Sequence, residues 1–241
     1  MHLRPNLLTQ TSFIRKTLGQ MPEKVIFGWS GGKDSTSALY ELQKSNKYEV
    51  ISLLIAIRED YDRVSLHGVR RSMIERQAEC LGLPLYEVFV SQGEFTQEYE
   101  SKMMNASLEF RNKGITSVVF GDIFFADIRR YREENLAKIG MKGIFPLWRK
   151  NSAELVRAFI NSGFKAITTC VDSKVLDKTF AGRMIDKDFL DELPANVDPC
   201  GENGEFHSFV FDGPIFKTRV RYTTGEIVLR DSFYFCDLLP A

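Results

Sequence analysis

Val25-Ile26-Phe27-Gly28-Trp29-Ser30-Gly31-Gly32-Lys33-Asp34-Ser35 is an apolar run that breaks into two adjacent glycines, a lysine, an aspartate and a serine. Lys24 to Phe27 has the short β-branched and aromatic composition of an interior parallel strand, and Ser35 to Leu42 opens like a helix, with hydroxyl residues in its first turn. The turn between them aims backbone N–H groups at an anion. Paired glycines accept positive φ and let the chain approach phosphate oxygens, and the helix N-terminus adds unpaired N–H groups and the positive end of its dipole. Lys33 supplies a point charge. Asp34 beside bound phosphate is repulsive unless a divalent cation separates them, which implies Mg2+ with Asp34 as its ligand.

A Walker A loop requires four residues between its glycines and Ser or Thr after the lysine. Here three separate Gly28 from Gly32, and Asp34 follows Lys33. Ser30 to Ser35 instead resembles the Ser-Gly-Gly-x-Asp-Ser signature of the PP-loop ATP pyrophosphatases. That resemblance implies cleavage of ATP between its α and β phosphates and transfer of AMP to an acceptor.

The bulk composition bounds the rest. A chain of 241 residues with 44% hydrophobic content buries a substantial core, and 32 basic against 32 acidic residues leave no net field to draw in nucleic acid or a membrane surface. Met1 to Asn6 lacks the apolar stretch of a secretory signal, and no apolar run approaches the roughly 20 residues that span a bilayer, so a cytoplasmic location is expected. Cys80, Cys170, Cys200 and Cys236 form no Cys-x-x-Cys pair and read as reduced structural thiols.

Outward from the central turn, Thr11 to Gln20 reads as a short packing helix and Glu49 to Ile57 as a second buried strand. Ligands bind beyond the carboxyl ends of strands in such sheets, so the main chain at Leu54 and Ile55 is where an adenine edge is expected. Val69, Met73, Ile74, Ala78 and Leu81 share one helix face, which leaves Arg70, Arg71 and Arg76 to solvent or to phosphate, and His67 as a cap or loop residue. Leu83 to Val90 is a third strand, 95 to 112 a helix, and Ser117 to Phe120 a fourth strand. That strand ends in Gly121-Asp122, a carboxylate placed for a ribose hydroxyl or the metal, or for capping the next helix. The helix that follows carries Arg129, Arg130 and Arg132 beside the same site.

Alternation of strand and helix up to about residue 145 predicts an α/β fold with a parallel, Rossmann-like sheet. Ile144-Phe145-Pro146-Leu147-Trp148 breaks that rhythm. Residues 1–145 are therefore expected to form the ATP-binding domain and 146–241 a smaller α+β substrate domain. In the second part a helix over 152–161, a strand over 165–171 and a short helix over 188–193 precede Val197 to Val210, too irregular for a simple strand and crowded with ionisable side chains. Antiparallel strands around Thr223-Thr224-Gly225 are expected to close the chain.

Ser30 to Ser35, His67-Gly68-Val69-Arg70, Gly121-Asp122-Ile123, Phe145-Pro146-Leu147-Trp148, Gly163-Phe164-Lys165-Ala166, Gly182-Arg183 and Gly201 to Pro214 occur in this order. The series resembles the diphthine–ammonia ligase family, with its HUP/PP-loop fold, from about Lys24 to Phe216. The resemblance implies an enzyme that amidates the carboxylate of diphthine, a modified histidine of translation elongation factor 2, with ATP and ammonia, forming AMP and pyrophosphate. It assigns Ser30, Gly31, Gly32, Lys33, Asp34, Ser35, Gly121 and Asp122 to ATP, and turns Glu202, Glu205 and His207 toward the acceptor. The loop departs from the archaeal and eukaryotic pattern, Glu-Gly-Gly-Glu, an aromatic, Glu and Thr: Asn203 replaces a glycine and His207 the last glutamate, a variant that resembles bacterial members. Two rival functions remain at this stage, a PP-loop enzyme that thiolates tRNA, for which Cys170 and Cys200 must meet, and a nucleotide-binding regulator without turnover. A homo-oligomer is compatible with the sequence.

Overall fold

The computed structural model describes residues 21–64, 67–91 and 96–241, so the helix expected over residues 11–20 lies outside it. β1 (Glu23–Gly28) is the middle of the first sheet and pairs in parallel with β2 (Tyr48–Arg58) on one side and β5 (Ser117–Val119) on the other. β4 (Leu85–Val90) extends the sheet beyond β2, and β6 (Lys142–Ile144) extends it beyond β5, both in parallel. A two-residue strand, β3 (Arg63–Val64), runs antiparallel to the end of β2. The crossovers are made by α1 (Lys33–Lys44), α2 (Arg71–Leu81), α3 (Gln97–Asn112) and α4 (Ala126–Lys138). This is the Rossmann-like arrangement that the strand-helix alternation predicts.

Both faces of a parallel sheet are covered, so its strands read as continuous apolar runs whose alternate residues enter different cores. Val25 and Phe27 of β1 join one buried cluster with α1 and α2, whereas Ile26 joins a second with Ala106 and Phe110 of α3 and Leu136 of α4. The first cluster does not stop at residue 145. It continues through Leu147, Val156 and Phe159 into Phe164, Ala166, Phe206, Phe209 and Phe211 of the following region.

That region holds α5 (Ser152–Asn161), α6 (Lys187–Glu192) and a second, antiparallel sheet in the order β8-β7-β10-β9. Its strands are β7 (Lys165–Asp172), β8 (Phe206–Asp212), β9 (Tyr222–Arg230) and β10 (Phe233–Pro240). Two expectations change here. The segment over 197–210 is irregular only to Glu205; from Phe206 it is a regular strand, because Phe206, Phe209 and Phe211 have the buried core of two layers to enter. The closing hairpin turns at Asp231 and Ser232, both at positive φ (47° and 71°), and Thr223 to Gly225 lies inside β9. Primed turns of this kind need two consecutive residues with positive φ, a demand that glycine usually meets and Asp-Ser meets here.

No helix among the described residues is long and apolar enough to cross a membrane.

Candidate active site

A cleft of about 330 Å³ opens beyond the carboxyl ends of β1, β2 and β5. Its floor is the turn from β1 into α1. Gly31 sits at φ +80°, and a Cβ there would fall 2.6 Å from Ile74 Cδ1 and 3.0 Å from Gln77 Oε1, so glycine is required by both conformation and space. Gly32 is the N-cap of α1, and its carbonyl accepts from the hydroxyls of Ser35 and Thr36 at 3.0 and 2.9 Å. Ser30 Oγ accepts from the Gly32 N–H at 3.3 Å and lies 3.0 Å from Ser35 Oγ. Gly121 packs against the same first turn: a Cβ on it would meet Ser35 N at 2.9 Å and the Asp34 carbonyl carbon at 3.0 Å.

Ser30, Gly32, Lys33, Asp34, Ser35, Leu54, Ile55, Gly121 and Asp122 all line the cleft. Gly31 supports it from behind, its carbonyl accepting from the Val210 N–H at 3.0 Å and from Gln77 Nε2 at 2.9 Å. For the adenine edge the strand geometry refines the expectation. Main-chain groups alternate sides along a strand, and the Leu53 N–H donates to Pro84 beside β4 whereas the Leu54 carbonyl accepts from the Trp29 N–H at 2.8 Å. Ile55 therefore directs its main chain toward β4. Ala56, also in the cleft wall, directs its main chain to the side on which β1 has ended.

Lys33 is buried at the base of the cleft. Its ammonium donates to Asp34 Oδ2 at 2.7 Å and to the carbonyl of Cys200, and lies 5.4 Å from the centre of the Phe206 ring. Burial works against this charge, yet Asp34 and, further off, Glu202 hold the ammonium above its usual range. Burial also raises the Asp34 carboxyl, against the opposing pull of Lys33. Asp122 forms an ion pair with Arg132 at 2.9 Å, and that guanidinium stacks on Phe120 at 4.4 Å. The next helix is capped by Phe125, so capping is not the role of Asp122. Of the three arginines on α4, only Arg132 lines the cleft. Arg70, Arg71 and Arg76 do not line it; Arg70 binds Asp237, Arg71 binds Asp62, and Arg76 reaches the carbonyl of Ala241.

The second region forms the opposite wall through Cys200 to Glu202, Gly204 and Phe206 to Ser208. Glu202 is pushed up to about 8, first by burial and then by the Asp34 carboxylate, with Asp198 and Asp122 adding to it. His207 lies in the same wall. Glu205 does not. Its Oε1 accepts from the Asp198 N–H and Asn203 Nδ2, and its Oε2 from the Asn203 N–H, at 2.9 to 3.0 Å. This corrects the expectation that Glu205 faces the acceptor: both its oxygens are used inside the loop, which it holds in shape.

Two residues of the site carried no functional weight in the sequence. Gln77 on α2 is fully buried and ties three segments, with Oε1 accepting from Trp29 Nε1 at 2.8 Å and Nε2 donating to the carbonyls of Gly31 and Val210. The signal was a polar residue within the apolar face of Met73, Ile74, Ala78 and Leu81. His67 reaches the cleft beside His207, the ring centres 4.6 Å apart. It caps nothing, since Arg70 is the N-cap of α2.

Residues 23–143 match the N-terminal domain of diphthamide synthase and residues 151–238 its C-terminal domain. A diphthine–ammonia ligase of Schizosaccharomyces pombe is 30% identical over 234 residues, covering 89% of this chain and 38% of that protein. The diphthine–ammonia ligases of Danio rerio and Homo sapiens are each 26% identical, over 86% of this chain and 89% and 85% of theirs. The chain thus spans well under half of the fission-yeast relative and most of the vertebrate ones. Among solved structures, the U34-tRNA thiolase NcsA from Methanococcus maripaludis aligns at 18% identity over 64% of this chain and 62% of its own, with a TM-score of 0.35. With both of its regions matched over nearly all the described residues, this chain belongs to the diphthamide synthase family.

Proposed function

We propose that this protein is an ATP-dependent ligase that transfers AMP to a carboxylate and then replaces AMP with ammonia, with diphthine on elongation factor 2 as the acceptor. One observation carries the reading: the Ser30–Ser35 turn and the raised carboxyl of Glu202 face each other across a single cleft. The relatives named diphthine–ammonia ligase support the same chemistry.

A carboxylate resists amidation because its oxygen is a poor leaving group. Adenylation converts it to a mixed anhydride whose leaving group is AMP, and ammonia attacks the acyl carbon. ATP lies with its base against Leu54 to Ala56 and its phosphates on the turn, where Lys33 and the remaining N–H groups of α1 balance the charge of departing pyrophosphate. Asp34 has one oxygen on Lys33 and lines the same cleft as Ser30 and Ser35, and oxygen donors of this kind suit Mg2+. Bound there, Mg2+ supplies further neutralisation of the pyrophosphate. Glu202 receives the proton that the nitrogen nucleophile must shed, and a group near 8 is matched to that task close to neutral pH.

Thiolation is not favoured. Burial pushes both the Cys170 and Cys200 thiols up to about 12, opposite to what a sulfur nucleophile needs.

The test is product analysis of the purified protein with ATP, Mg2+ and ammonium, with and without elongation factor 2 carrying diphthine. AMP and pyrophosphate formed only with that factor establish the ligase. AMP formed without it retains the pyrophosphatase chemistry and rejects the acceptor; tight ATP binding with no product under any condition rejects catalysis.

A further inference from the structure

His67 and His207 come from different halves of the fold, one from the hairpin between β3 and α2 and the other from β8, yet they meet over the phosphate turn. Their rings lie 4.6 Å apart at an angle of 34°, and both line the cleft. His67 Cε1 is 3.1 Å from where a Cβ on Gly32 would stand, so its ring rests on the residue that caps α1. On the far side, Ser208 binds the same turn through its hydroxyl, which accepts from the Lys33 N–H at 3.1 Å.

The tautomer of His67 follows from its partner. Nδ1 faces the Ser208 carbonyl at 3.4 Å, and a carbonyl has no proton to give, so Nδ1 carries the hydrogen. Nε2 then presents a lone pair. We propose that His67 and His207 are a further polyphosphate-binding element of this site, contacting the phosphates of the bound nucleotide beside the Gly31-Gly32 turn. The proposal rests on the nucleotide reading above and adds to it two residues and a proton.

A lone pair repels a phosphate oxygen, so His67 contacts phosphate only after Nε2 gains a proton from solvent. The surroundings favour the neutral form of both imidazoles. Removal from water, then the Lys33 charge, hold His67 near 4, relieved partly by the Ser208 carbonyl; burial, the neighbouring His67 and Lys33 hold His207 lower still. Glu202, Asp34 and Asp122 are the acidic groups of the same cleft, the last paired with Arg132, and none of them outweighs Lys33 at the two imidazoles. A polyphosphate brings several negative charges into the same space and reverses that balance. Nucleotide binding therefore takes up protons, and affinity falls as pH rises.

The experiment is calorimetric titration of the whole protein with ATP under saturating Mg2+, near pH 7, in buffers of differing ionisation enthalpy. The expected result is proton uptake of up to about one per nucleotide, largely lost in His67→Asn and in His207→Asn, with each variant binding roughly tenfold more weakly. The wild-type measurement needs no variant to fold. Binding without buffer dependence, together with unchanged affinity in both variants, overturns the proposal and leaves the nucleotide reading standing; failure of the wild type to bind ATP overturns both.

Discussion

Asp34 and Glu202 are the two carboxyls whose surroundings define the chemistry. Asp34→Ala strips the buried Lys33 ammonium of its carboxylate, so AMP formation is expected to vanish and the thermal midpoint to fall. Asp34→Asn keeps an acceptor for Lys33 and should lose AMP formation with a smaller fall; retained turnover in Asp34→Asn takes the Asp34 charge out of the mechanism. Glu202 is raised to about 8 in the fold against an ordinary value near 4.5. The folded protein therefore holds a proton that the unfolded chain releases, and stability falls as pH rises through this window. Glu202→Gln keeps the shape without the charge. Its stability relative to wild type should grow from about pH 5 to about pH 8 and then level off, by on the order of 1–2 kcal/mol in urea melts; a flat difference would remove the raised carboxyl. At this scale the sequence was informative where function constrains the backbone, as in Gly31 and Gly32, and ambiguous where it constrains a side chain. Glu202 and Glu205 look alike in a glycine-rich loop, and only the hydrogen bonds separate the one that faces the cleft from the one that braces the loop.

Two elements hold the site in place. α2 does so through Gln77. Gln77→Met retains the volume and loses all three hydrogen bonds, leaving Trp29 Nε1 and the Val210 carbonyl unpaired in the core. A loss of about 2–4 kcal/mol of stability and weaker ATP binding are expected, together with a shift in Trp29 fluorescence. β10 does so through Asp237, which binds Arg63 at 2.8 Å and Arg70 at 2.6 Å and so fastens the hairpin that carries His67. Although burial opposes it, these two guanidinium groups hold the Asp237 carboxyl down at about 2. Its contribution is present above the ordinary aspartate range near 4 and is lost as pH falls toward 2, so Asp237→Asn should be less stable than wild type at neutral pH and converge with it in acid. The long, periodic elements were readable before the structure, and the helix over 152–161 coincides with α5. β3 and β6 were not, because strands of two and three residues have no period to detect. The regular strand β8 was hidden by the turn residues directly before it.

The change of rhythm near residue 146 marks a change of architecture without marking a division of the core. One buried cluster runs from Val25 to Leu238 and unites α1 and α2 with the second sheet. Unfolding should therefore be a single cooperative transition, and residues 1–150 expressed alone should not bind ATP, since Gly31 and Lys33 of the turn lose Val210 and Ser208; a soluble fragment that binds nucleotide would separate the halves. β8 explains why they stay together. It holds the turn between β1 and α1 by Val210 and Ser208 and begins directly after the loop that brings Glu202 to the cleft. A lineage that adopts a new acceptor is thereby barred from exchanging its second half wholesale. Its freedom is confined to the 200–204 loop, where Asn203 is the one exposed position and Glu205, fastened from within, keeps the frame.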